Sequence, residues 1–204
     1  MLTALYFAGT VVQVIVRVPY NRRRRQMPKI DRRITLAEYS LLGGLFAAML
    51  LAPVAYAATP WLDFASYKLT PPMRKLLGGA GAVFLAAALW LFWRAHRDLG
   101  TNWSPSLEIG TEHTLVTTGV YGAIRHPMYA SHLLWSIAQT LLLHNWIAGW
   151  ASLVGFPTFY LWRIPAEERM MVDYFGEAYR TYCRRTGRLL PRLRGLITAR
   201  KTES

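Results

Sequence analysis

Between His113 and Tyr129 the chain reads HTLVTTGVYGAIRHPMY, and Gly119, Tyr121, Arg125, His126, Pro127 and Tyr129 fall within eleven positions of one another. Some forty residues later Arg163, Glu167 and Glu168 close the last long apolar run. Ionisable groups and ring hydroxyls in an apolar chain are costly unless they face a cavity, a ligand or water. The first cluster offers imidazole and phenol groups, with Gly119 allowing the backbone to approach a ligand closely. The second offers a carboxylate at Glu167, expected in a first helical turn after Pro165, where a negative charge suits the helix dipole and proline suits the first position. Arg163 lies four residues before Glu167, so a helix kinked at Pro165 sets both on roughly one face, either to pair with each other or to meet a ligand. An interfacial loop at the bilayer headgroups would use similar rings and cations.

A ligand that carries cations and an anion beside a flat ring would use both clusters. S-adenosyl-L-methionine has a sulfonium, an ammonium, a carboxylate and an adenine. Glu167 suits its ammonium or ribose hydroxyls, while backbone N–H groups and His126 suit its carboxylate. Methyl transfer from a sulfonium is an in-line displacement that depends on alignment more than on a strong base. The lack of a visible triad or metal cluster therefore does not argue against an enzyme.

The elements that must position these groups are helices. The chain has 204 residues, of which 53% are hydrophobic, with eight Trp and a net charge of +13. Its polar residues are gathered in blocks, which is a membrane composition. The basic residues flank apolar runs without a nucleic-acid motif, so anionic membrane lipids, and not nucleic acid, are the expected partner. Cys183 is the sole cysteine, which excludes an intrachain disulfide and a multi-cysteine metal site. No cleavable signal peptide is evident, because the charges follow the first apolar run.

In order, Leu2 to Val18 reads as a short first span, and Asn21 to Arg33 as a basic cytoplasmic loop that places the amino terminus outside. Leu36 to Ala57 reads as a second span, Thr59 to Lys75 as an outer loop, and Leu76 to Trp93 as a third span. The Gly78, Gly79, Gly81 run has no strand before it, which argues against a dinucleotide loop. Arg94 to Arg125 is a long cytoplasmic segment, of the kind that usually serves a site. Tyr129 to Leu143 and Trp146 to Trp162 read as a tight helical hairpin turning at His144 and Asn145. From Arg163 an amphipathic helix is expected, with Met171, Tyr174, Phe175, Ala178 and Tyr182 on one face, ending before Gly187 and Pro191. The expected architecture is a single all-α integral membrane domain over 1–204, with about five transmembrane helices. Spans fill 1–93, the cofactor-binding and catalytic region 94–191, and a basic tail 192–204.

The segment HTLVTTGVYGAIRHPMY, the hairpin and then RIPAEERMMVDYFGEAYRTY together resemble the isoprenylcysteine carboxyl methyltransferase family of integral membrane enzymes, over roughly Asn102 to Pro191. The resemblance implies a helical, non-Rossmann fold with S-adenosyl-L-methionine bound at the cytoplasmic face. It implies cofactor contacts from His113, Thr114, Leu115, Val116, Tyr121, His126, Pro127, Met128, Tyr129 and Glu167. It also implies that Arg163 is the catalytic arginine that contacts an amphiphilic, lipid-like acceptor such as the carboxylate of a prenylated cysteine. Two positions depart from the family pattern: Ser131 stands where a glycine often follows the tyrosine, and Ser106 lies where a glutamine can serve the cofactor.

Other readings stay open on the residues alone. Membrane enzymes that methylate phospholipid amines or thiols share the histidine-proline-tyrosine and paired-glutamate signature. A sterol-reductase-like enzyme using NADPH, or a lipid-binding protein without catalysis, would also fit an apolar chain. The expected topology is testable by accessibility labelling. A cysteine introduced at Thr202 should react only from the cytoplasmic side, and labelling from outside intact cells would overturn the orientation.

Overall fold

The computed structural model describes residues 1–25, 29–32, 35–104, 108–110 and 114–192. The apolar runs form helices, because a backbone crossing hydrocarbon must satisfy its own N–H and C=O groups. Among the described residues three helical stretches are long and apolar enough to cross a membrane: Leu2–Arg22, Leu36–Ala58 and Pro71–Leu99.

The first helix, α1 (Leu2–Arg25), runs through Pro19 and beyond the expected end at Val18. Arginine is a good helix former, so the start of the basic block continues the helix instead of opening a loop. A short strand follows, β1 (Lys29–Arg32), and pairs antiparallel with β2 (Glu108–Gly110). Among the described residues the named elements are thus helical apart from this small ladder, which joins the segments after the first and third spans.

The second span is built from α2 (Leu36–Phe46), a π-helical turn at Ala47–Leu51, and α3 (Ala52–Ala58). The wide turn has a local cause. Pro53 has no N–H for the Met49 carbonyl four residues back, so an ordinary ladder cannot continue there. Other helices supply the missing donors: the Tyr6 hydroxyl lies 2.5 Å from the Met49 carbonyl, and Gln139 Nε2 donates to the Ala48 carbonyl at 2.9 Å.

The third span, α4 (Pro71–Leu99), begins with its two prolines inside the first turn and outruns its expected limits of Leu76 and Trp93 at both ends. Its glycines are packing positions. A Cβ at Gly81 would come within 2.8 Å of Leu142, and one at Gly78 within 2.8 Å of Leu2. After the short α5 (Val120–Ala123) comes α6 (Pro127–Leu142), which packs closely along α4. At 16 residues α6 rises about 24 Å, short of the roughly 30 Å hydrocarbon thickness. Pro127, Ala130, Trp135, Gln139 and Leu142 are all buried, so this helix packs inside the bundle.

The connection from α6 to α7 (Ala151–Phe175) is not a two-residue turn. Asn145 is fully buried, donates to the Leu62 carbonyl at 2.6 Å, and accepts from the N–H groups of Ile147 and Ala148. The side chain thereby builds the turn and docks it on the 3₁₀ segment Pro60–Ala65. Helix α7 passes through Pro157 and Pro165 without ending, so Glu167 lies inside a helix and gains nothing from a helix amino terminus. The amphipathic face expected from Met171 to Tyr182 is split at Gly176, whose φ of 56° stops α7 and starts α8 (Glu177–Arg185).

Gln139 is the polar centre of the bundle. Its Oε1 accepts from the Ser152 hydroxyl and lies 2.9 Å from the Tyr6 hydroxyl, while its Nε2 donates to the Ala48 and Ala148 carbonyls. Trp135 Nε1 donates to Tyr6 at 3.1 Å. Around them Leu85, Ala88, Trp135, Ala138 and Leu142 form one apolar cluster, and Leu45, Tyr129, Phe156, Phe159 and Ile164 form a second beside the polar site. Gln139→Leu strands buried carbonyls and should cost about 1–3 kcal/mol. Tyr6→Phe should cost less, and thermal unfolding in detergent checks both.

Candidate active site

The end of α4 and the start of α6 are held together by side chains acting on backbone. Asp98 Oδ2 accepts from the Val120 N–H at 2.9 Å and so tethers α5 to α4. Gly119 has φ 61°, and a Cβ there would meet Asp98 Oδ2 at 2.2 Å. The glycine is therefore required by this tether, and the expectation that it lets backbone approach a ligand does not hold. Asn102 likewise accepts from the Thr114 N–H at 2.8 Å and anchors the segment Thr114 to Val116.

The carboxyl-terminal segment closes over the second half. Arg125 N–H donates to the Gly187 carbonyl at 2.8 Å and His126 N–H to the Arg188 carbonyl at 3.0 Å. The Tyr182 hydroxyl donates to the Tyr121 carbonyl at 2.6 Å. Glu168 ties these parts together, accepting from Arg125 Nη2 at 3.1 Å and from Arg188 Nη2 at 2.7 Å, with His126 Nε2 at 3.2 Å. It holds three segments together from outside the cavity wall.

Inside this frame lies a cavity of about 360 Å³. Thr114, Leu115, Val116, Tyr121, His126, Pro127, Met128, Tyr129, Arg163 and Glu167 all line it. The two sequence clusters thus meet at one place. His113 and Ser106 lie outside the described residues. Ser131 is buried, and its hydroxyl bonds to the Met128 carbonyl at 2.7 Å, which lets a polar residue sit where the helix packs tightly.

A buried chain of polar contacts runs along one wall. Arg163 Nη1 pairs with Glu38 of α2, and Arg163 Nε donates to the Tyr129 hydroxyl at 2.8 Å. Tyr129 in turn donates to Glu167 Oε2 at 2.5 Å, and Glu167 Oε1 lies 3.6 Å from His126 Nδ1. Arg163 and Glu167 therefore communicate mainly through the phenol, since their direct separation is 3.9 Å. Arg163 is itself buried. Glu167 keeps 28% of its side-chain surface accessible, so its carboxylate can still accept from a ligand.

His126 has a carboxylate at each ring nitrogen. Burial opposes its charge, but Glu167 and Glu168 outweigh burial and hold its pKa above the ordinary imidazole value. Burial also opposes the charge on Glu168, and the bonds from His126, Arg188 and Arg125 bring its pKa down to about 2.

Glu38, Arg17, Asn102 and Trp103 belong to this region but were not singled out in the sequence. A lone carboxylate at the head of an apolar span was the available signal for Glu38. The other wall of the cavity is apolar, with Val14 of α1 and Leu42, Leu45, Phe46 and Met49 of the second span. Among the described residues no group of three or more His, Cys, Asp or Glu could hold a metal ion.

Residues 80–173 match the model of the isoprenylcysteine carboxyl methyltransferase family. The human protein-S-isoprenylcysteine O-methyltransferase is 30% identical over 145 residues, covering 69% of this chain and 51% of the human protein. An Arabidopsis thaliana protein-S-isoprenylcysteine O-methyltransferase B is 41% identical over 73 residues, 36% of this chain and 37% of its own length. The chain spans about half the length, or less, of these curated relatives. A solved structure of the eukaryotic intramembrane Ras methyltransferase aligns over 79% of this chain and 70% of that chain, at TM-score 0.42 and 21% identity.

The Glu168 clamp has a pH signature. Because its pKa is depressed on folding, its contribution is full above the ordinary carboxylate range and lost as pH falls toward about 2. Glu168→Gln should lower stability at pH 7 by about 1–3 kcal/mol. The gap to the unsubstituted protein should close as pH is lowered below about 4, as unfolding midpoints across that range would report.

Proposed function

We propose that this chain, whose residues 80–173 match the isoprenylcysteine carboxyl methyltransferase family, transfers a methyl group from S-adenosyl-L-methionine to an amphiphilic acceptor held in the membrane. The observation that carries the reading is one shared cavity. It joins the Thr114–Tyr129 residues, Arg163 and Glu167 to an apolar wall made by two membrane helices. A water-borne donor and a lipid-tailed acceptor need such a two-faced site.

The donor supplies an electrophilic methyl group on a sulfonium. A carboxylate acceptor attacks that carbon in line as the carbon–sulfur bond breaks, and the bonding pair stays on sulfur. No proton has to be removed, which agrees with a site whose acids and bases are locked to one another and not poised as a free base. The protein's work is alignment and exclusion of water. In this reading Glu167 accepts hydrogen bonds from the donor's ammonium or ribose, and Thr114, Leu115, Val116, Tyr121, Pro127 and Met128 enclose it. His113 is assigned to the same contact by family resemblance.

Arg163 is aimed by Glu38 and Tyr129 and presents a guanidinium edge to the acceptor's carboxylate, for which a planar fork is suited. The apolar tail lies along Leu42, Phe46 and Met49. The prenylated cysteine carboxylate is the acceptor that fits best. Five crossings with α6 and α7 as an inner pair, and a cytoplasmic site, complete the proposal.

An amine acceptor is the second reading. Glu38 already gives Arg163 a carboxylate, and Glu167 beside Tyr129 would suit a cation as well as a donor.

Titration of detergent-solubilised protein with S-adenosyl-L-methionine and with NADPH tests the reading directly. Only the first should bind, and Glu167→Gln should weaken it by roughly 1.5–3 kcal/mol. Arg163→Lys keeps a charge beside buried Glu38 but loses the fork, so it should raise the acceptor KM and leave donor affinity nearly intact. Binding of NADPH alone, or equal turnover of a small water-soluble thiol, would overturn the proposal.

A further inference from the structure

The cavity has a second cation that the methyl-transfer reading leaves unused. Arg17 of α1 lines it, with its guanidinium carbon 5.3 Å from the centre of the Phe92 ring and 5.7 Å from that of Trp103. Its Nε is buried without a hydrogen-bond partner, and among the described residues no carboxylate pairs with it. Its neighbours are rings. His96 and His132 bind backbone carbonyls through Nδ1, at 2.9 Å and 2.6 Å, and supply no negative charge. Aromatic faces answer only part of a half-buried guanidinium's charge, and an anion is what completes the balance.

Arg163 is in the opposite condition, because Glu38 and the Tyr129–Glu167 pair answer its charge. The two arginines also stand on different walls. Arg17 lies against Trp103, whose Nε1 donates to Met128 Sδ at 3.1 Å. Arg163 bonds to Tyr129, one residue later on α6 and about 100° around it. The reaction brings two carboxylates to the cavity, one on the acceptor and one on the amino-acid end of the donor.

Resting on the methyltransferase reading, we infer that Arg17, and not His126, which Glu167 and Glu168 already flank, is the receptor for the donor's α-carboxylate, leaving Arg163 for the acceptor. Trp103 and Asn102, which hold Arg17's wall and the Thr114 segment, place this cation among the residues assigned to the donor. The first membrane helix, outside the matched region 80–173, is thereby part of the donor site.

The experiment is calorimetric binding to the detergent-solubilised full chain of two nucleosides. One is S-adenosylhomocysteine and the other its analogue lacking the carboxyl group. The unsubstituted protein should prefer the carboxylated nucleoside by roughly tenfold or more, the size of a charge-assisted bond. Arg17→Gln should bind the decarboxylated nucleoside as the unsubstituted protein does and lose the preference, while Arg17→Lys keeps part of it. Each preference is a ratio on one preparation, so partial misfolding does not imitate the effect. A preference that survives Arg17→Gln overturns the inference alone. So does an unsubstituted protein without preference, which would leave Arg17 to a lipid phosphate, and so does a variant with unchanged nucleoside binding but a raised acceptor KM. An unsubstituted protein that binds neither nucleoside overturns the methyltransferase reading and this inference with it.

Discussion

The buried relay from Glu38 through Arg163, Tyr129 and Glu167 to His126 is the constraint around which the site is arranged. Charges removed from water are stable only when each meets a partner of opposite sign or a strong hydrogen-bond donor, and removing one link leaves the next uncompensated. The relay takes Glu38 from α2, Arg163 and Glu167 from α7, and Tyr129 and His126 from the start of α6. Three segments distant in sequence are therefore held in one relative position by electrostatics. The cavity beside them is what that position leaves open.

Glu168 extends the same logic outward. Sitting next to Glu167 on α7, it points away from the cavity and gathers Arg125, His126 and Arg188. One carboxylate thus faces the cavity while its neighbour closes the chain over it. On the lipid side the work falls to neutral groups. The π turn at Ala47–Leu51, forced by Pro53, releases carbonyls that Tyr6 and Gln139 collect, and Met49 and Leu50 of that turn line the cavity. The apolar wall owes its shape to a helix irregularity locked by hydrogen bonds from two other helices.

Much of the site was legible because the reactive residue types were concentrated. His126, Pro127, Met128 and Tyr129 are consecutive, and Arg163 and Glu167 share a helix face by spacing, so an ordinary helical period brings them toward the cavity. The details that failed did so for identifiable reasons. Gly119 was read for a ligand because a glycine's freedom is visible but its neighbour Asp98 is not. Pro165 was read as a helix start, yet the surrounding contacts carry α7 through it. The tight turn expected at His144 and Asn145 is a longer connection, because buried Asn145 builds it and docks it on the Pro60–Ala65 segment.

Hydropathy and local spacing by themselves determined a helical membrane chain, the approximate limits of its apolar runs, and the two polar clusters, because these depend on contacts within one or two turns. The tertiary structure decided which charges answer one another. Glu38 sits three residues after its helix cap Thr35 and 125 positions from Arg163, so nothing local distinguishes an exposed first-turn acid from the buried partner of a guanidinium. Arg17 was likewise one cation in a basic amino-terminal stretch until packing set it against Phe92 and Trp103. A charge's role depends on what surrounds it after folding, and desolvation acts across the whole bundle while sequence patterns report only on neighbours along the chain.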